Sequence, residues 1–347
     1  MGYSSSFFTC FLLLAVVNGK PVVPALFIFG DSIGDNGNNN QLLTFVKANF
    51  PPYGRDFKNH TPTGRFCNGK LATDFIAEIL GFTSYQPAYI NLEDKGNNLL
   101  NGANFASAAS AFYDVIPMLY NTIPLHRQLE YYKECQSKLV EIAGQSKASS
   151  IISSAIYMVI IGCSDFLNYY TNVLVHNGHT VDQFSDILLQ SYSKYIQHLY
   201  ALGARRIGVT NLAPTGCLPI LITLFGSHSN GCVGRLNKDA IYYNKKLNYT
   251  SEKLQKLLPD LNLVVFDIYQ PLYNLVTKPS ENGFLEARRG CCGTGFIELS
   301  ILCNEKSIGT CANASEYVFW DSVHLTEAAN KLLADQMVAA GIFQLIS

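Results

Sequence analysis

Five short apolar runs recur along the chain, at residues 25–29, 103–106, 155–161, 206–212 and 261–268, with helical patterns between them. Runs of this length without polar alternation read as strands buried on both faces. The intervening stretches 71–80, 125–143, 181–202 and 236–258 place apolar residues at helical spacing. In 181–202 they fall at 181, 184, 187, 188, 195, 196 and 199. Strand followed by covering helix, repeated through five units, predicts an α/β protein with a parallel sheet covered on both faces by right-handed crossovers. Residues 41–48 read as a further helix, and 326–340 as the last one, with Thr326 as N-cap. No linker or internal repeat interrupts the pattern, so residues 20–347 are read as a single domain.

The strand ends carry the chemistry. The first run stops at Gly30-Asp31-Ser32 and passes into a Gly/Asn-rich stretch, which places Ser32 just beyond the carboxyl end of a buried strand. Ligand crevices of open α/β sheets form at that edge. The third run ends the same way, in Gly162-Cys163-Ser164-Asp165, and the second ends in the small residues 107–111. Far along the chain, Asp321-Ser322-Val323-His324 supplies a carboxylate and an imidazole three positions apart, just before the last helix. A serine hydroxyl becomes a nucleophile when a base takes its proton, and histidine is a better base when a carboxylate fixes its tautomer. Ser32, His324 and Asp321 can fill those roles if the fold brings them together. Donors for a developing oxyanion are expected from the backbone N–H of Ser32, the backbone N–H of Ala108 and the side chain of Ser164.

Charge excludes other classes. With 25 basic and 26 acidic residues, a net charge of −1 and no dense run of either sign, no concentrated basic face is available for nucleic acid or anionic membrane. Residues 7–17 form an apolar run too short to span a bilayer and end near Asn18-Gly19, so residues 1–19 read as a cleaved secretory signal peptide. No later segment reaches the length of a transmembrane helix, and secretion into the extracellular space follows. Charged residues make up only 15% of the chain, which leaves neutral polar groups and sugars to cover the surface. Sequons at Asn59, Asn248 and Asn313 are the candidate glycosylation sites.

An oxidising compartment makes disulfides the default. Cys217 with Cys232 is the first pairing expected, and Cys291, Cys292, Cys303 and Cys311 are expected to pair among themselves. Cys163, at a strand end, is the expected buried free thiol. No Cys-x-x-Cys pair occurs and no histidines cluster beside the cysteines, so neither a metal site nor a cofactor is expected.

Four blocks, 29–33, 104–107, 162–165 and 321–324, resemble in order and spacing those of the plant GDSL-type esterase/lipase family, a branch of the SGNH hydrolases. The segments 51–57, 63–66 and 291–295 resemble its plant members too. The resemblance implies a flavodoxin-like three-layer α/β/α sandwich, with a five-stranded parallel sheet, and a two-step ester hydrolysis without metal. By position it makes Ser32 the nucleophile, His324 the base and then the acid, and Asp321 its orienting partner, acting on acyl lipids or small acyl esters. Two positions depart from the family pattern: Ala108 stands where glycine is usual, and Ser164 where asparagine is usual. Acyl transfer to an alcohol or sugar hydroxyl would use the same acyl-enzyme. A secreted binding protein with a decayed oxyanion site is the non-enzymatic alternative.

Overall fold

The computed structural model describes residues 20–90, 97–226 and 231–346; the expected signal segment 1–19 lies outside them. Four strands, β1 (Leu26–Gly30), β2 (Ile156–Ile160), β3 (Arg206–Thr210) and β4 (Asn262–Phe266), pair in that order, all parallel. Alternate residues feed two cores. Phe27 and Phe29 of β1, with Tyr157 and Val159 of β2, face the helices Leu125–Ala143, Val181–Ala201 and Gly234–Leu257. Leu26, Ile28, Ile156 and Met158 face the helices Ala72–Ile79, Tyr269–Thr277 and Glu327–Met337. Each strand is apolar on both sides because each side is covered, which gives the three-layer α/β/α arrangement.

The expected fifth strand at 103–106 is present only as isolated bridges from Asn104 to Ile28 and to Ala88. The segment does run parallel to β1, on the side away from β2: Ile28 N–H donates to Ala103 O, Phe105 N–H to Ile28 O, and Ser107 N–H to Gly30 O. Side chains of the Asn-rich run take up carbonyls that a longer ladder would use. Asn38 Nδ2 donates to Asn104 O and Ala106 O, and Asn39 Nδ2 donates to Ala108 O. The order across the sheet is therefore segment 103–107, β1, β2, β3, β4, and the chain changes direction of travel about β1. Ligand crevices form outside such a switch point.

Residues 41–48 are not helical. Their backbone is held by distant side chains: Ser300 Oγ contacts Phe45 O and Lys47 O, and Asn39 Nδ2 donates to Val46 O. These bonds override local helix propensity. A separate parallel pair, β5 (Glu286–Gly290) and β6 (Tyr317–Phe319), carries the segment 320–324 on its end. Disulfides join Cys217 to Cys232, Cys291 to Cys311 and Cys292 to Cys303. Cys67, Cys135 and Cys163 lie outside these three bridges, and Cys163 is partly exposed rather than buried. Among the described residues no helix is long and apolar enough to cross a membrane.

Candidate active site

Gly30 ends β1 with φ 138°, and a Cβ there would lie 1.8 Å from Ile160 O, so only glycine lets the first turn close against β2. The two acidic residues of that turn clamp it to both neighbouring loops. Asp31 accepts from the N–H groups of Ile33 (3.1 Å) and Ser164 (3.3 Å), joining the β1 turn to the helix start after β2. Asp35 accepts from Gly37, Asn38 and Ala108 N–H, each at 2.8 Å, joining the same turn to the loop after residue 106. Burial raises both carboxyls to about 6, against the lowering effect of those amides. Asp165, which accepts from Phe112 and Tyr113 N–H, is raised by burial to about 7.

This frame holds Ser32 at the sheet edge, and β6 delivers its partners. Ser32 Oγ lies 2.7 Å from His324 Nε2, although the residues are 292 positions apart. His324 Nδ1 lies 2.8 Å from Asp321 Oδ2 and 3.0 Å from Oδ1. Asp321 is fully buried and also accepts from the N–H groups of Val323 and His324, an arrangement local to the turn. Tyr53 O–H donates to its Oδ2 at 2.8 Å and accepts from Ser300 N–H at 2.9 Å. Burial and the adjoining Asp321 push the Tyr53 phenol well above its ordinary value, so it remains a donor. Gly290 packs on the Asp321 backbone, where a Cβ would meet Asp321 O at 2.5 Å. An imidazole with one nitrogen on a buried carboxylate and the other on a serine hydroxyl is arranged to take that hydroxyl's proton.

Ser32 and His324 open into a cavity of about 370 Å³ whose walls are mostly apolar, with Phe45, Leu167, Ile220, Ile297, Leu302 and Val323 among them. Ser164 and Asn168 line its polar side. Residues 26–337 match the GDSL-like lipase/acylhydrolase family. The chain belongs to that family. The GDSL esterase/lipase At5g22810 of Arabidopsis thaliana is 62% identical over 335 residues, covering 95% of this chain and 92% of the relative. The GDSL esterase/lipase APG of the same plant is 57% identical over 341 residues, covering 95% and 97%. Among solved structures, the acetylxylan esterase Axe2 of Geobacillus stearothermophilus aligns over 94% of this chain and 99% of its own, with 11% identity and a TM-score of 0.43.

As a member of the GDSL esterase/lipase family, the protein is a carboxylic-ester hydrolase. One expected donor is not free. Ala108 N–H is committed to Asp35 Oδ2, so it does not face the cavity as an oxyanion donor. The next residue, Ala109, lines the cavity and adopts φ 61°. The left-handed conformation therefore falls one residue after the position where the family's glycine was expected. Among the described residues, neither Ser32 N–H nor Ala109 N–H donates to a protein group. Ser164 lies in the cavity wall. Tyr53 and Ala109 escaped sequence reading: Tyr53 meets Asp321 across 268 residues, and the offset from 108 to 109 is decided by Asp35. The side chains of Asn59, Asn248 and Asn313 are exposed. Among the described residues no group of three or more His, Cys, Asp or Glu side chains is arranged to hold a metal ion.

Proposed function

We propose that the protein hydrolyses acyl esters through an acyl-enzyme on Ser32. His324 Nε2 takes the Ser32 proton as Oγ attacks the ester carbonyl, then gives it to the departing alcohol oxygen. Water follows the reverse path: His324 accepts its proton, the hydroxyl attacks the acyl carbon, and Ser32 Oγ leaves with the proton restored. Asp321, supported by Tyr53, orients the ring and balances its charge while it is protonated. The oxyanion is met by Ser32 N–H and Ala109 N–H, with Ser164 Oγ as the third donor. The apolar walls favour an ester with a hydrocarbon acyl chain. Residues 1–19 act as a removable secretory leader on a single-domain enzyme, and Asn59, Asn248 and Asn313 carry glycans.

The observation that carries this reading is the 2.7 Å contact between Ser32 Oγ and His324 Nε2, with Nδ1 on buried Asp321. Ser32→Ala is expected to abolish p-nitrophenyl butyrate turnover with an unchanged melting temperature. Undiminished turnover in that variant overturns the reading.

A further inference from the structure

Three loops around the cavity mouth expose large apolar side chains. Leu43 is 91% exposed, Phe45 56%, Met118 78% and Ile301 50%, and Leu119, Ile297 and Leu302 stand exposed beside them in sequence. The loops are one structural unit. Thr44 Oγ1 donates to Tyr120 O, Asn121 Nδ2 donates to Leu43 O, and the Phe45 and Tyr120 rings meet edge to face at 6.1 Å. Ser300 Oγ contacts Phe45 O and Lys47 O and accepts from Lys47 N–H, which ties the third loop to the first. The patch carries little charge: Lys47, partly exposed, adjoins its first loop. Across residues 43–46, 118–121 and 296–302 the only ionisable acid or base is Glu298, apart from the phenol of Tyr120. Its carboxylate is folded back onto the N–H groups of Thr294, Gly295, Phe296 and Ile297.

Apolar clusters of this kind on a protein surface mark docking sites. The occupant follows from continuity and charge. Phe45, Ile297, Ile301 and Leu302 belong to the patch and also line the cavity that holds Ser32, so whatever seats on the patch lies over the site entrance. The exposed side chains of Leu43, Phe45, Met118 and Ile301 are all hydrocarbon or thioether, and Lys47 at the edge of the first loop is too little charge to make the patch a basic face for a protein partner or an anionic headgroup. We propose that this rim docks the enzyme on the surface of an aggregated, uncharged acyl ester, with Leu43 and Met118 immersed, so that an acyl chain passes from the lipid phase into the cavity. The proposal rests on the ester-hydrolase reading above and names its physical substrate as a lipid–water interface.

The test is flotation of the full-length mature protein with triolein droplets coated with phosphatidylcholine, beside turnover of monomeric p-nitrophenyl butyrate. Wild type is expected to float, with little dependence on salt because apolar side chains rather than charges drive the contact. The double variant Leu43→Asp, Met118→Asp is expected to partition at least about a hundredfold less, roughly tenfold for each side chain withdrawn from hydrocarbon, with unchanged p-nitrophenyl butyrate turnover. Ser32→Ala should float like wild type, which separates docking from catalysis. The proposal is overturned if wild type stays in the aqueous phase, if the double variant floats equally well, or if binding vanishes at high salt. It is also overturned if wild type sediments as a dimer that the double variant dissolves, because a second copy then covers the rim.

Discussion

At the residue scale, the site is a set of carboxylates that each collect several donors. Asp321 accepts from Tyr53, His324 and two backbone N–H groups, and this fixes which face it turns to the imidazole. Tyr53→Phe removes one of those donors and strands the buried Ser300 N–H. It is expected to lower stability by about 1–3 kcal/mol, read from chemical denaturation, together with kcat. Ser164 invites a different comparison. If its hydroxyl is the third oxyanion donor, Ser164→Ala should lower kcat by about 10² with a smaller change in KM. Equal kcat in the two proteins would remove Ser164 from the oxyanion site. The trio 32, 321 and 324 was legible in the sequence because two of its members lie three residues apart and the third ends a strand. The place of Ala109 in the cavity wall was not, since the placement of Ala108 depends on a contact with Asp35 across 73 residues.

At the element scale, the strands were legible from continuous apolar runs, and the long helices from their periodicity. The exceptions, residues 41–48 and 103–106, are both governed by side-chain hydrogen bonds from remote segments, which no local pattern encodes. The helix Ala72–Ile79 is anchored by a buried pair in which Arg65 Nε and Nη2 donate to the two oxygens of Asp74, each at 2.8 Å. Asp74 Oδ2 also accepts from Leu71 N–H at the start of that helix. Asp74→Ala leaves the guanidinium buried without its counter-charge and should destabilise the protein by about 3–5 kcal/mol in denaturant unfolding. The segment 291–311 depends on its two bridges, and Cys292 N–H donates to Trp320 O beside the site. Replacing Cys292 and Cys303 by serine should lower stability by roughly 3 kcal/mol, and ester turnover should decline as the wall at 297–302 loosens.

At the scale of the whole molecule, three buried carboxyls hold the loops at the sheet edge together. Asp31 and Asp35 sit at about 6 and Asp165 at about 7, above the ordinary 3.8. Between pH 4 and 7 the folded protein binds more protons at these groups than the unfolded chain does, so their contribution to stability falls as pH rises. The stability of wild type relative to Asp165→Asn should therefore decrease from about pH 4 to about pH 7 and level off above it, as followed by melting temperature. A profile that rises over that window would show the carboxyls to be ionised more readily in the fold than outside it. The central claim, an acyl group carried by Ser32, is tested most directly by acid-quenching the protein during its first turnover of p-nitrophenyl butyrate and mapping the added mass by peptide mass spectrometry. The expected result is a butyryl group on the peptide containing Ser32; turnover with the adduct on another residue, or with none at any quench time, would contradict it.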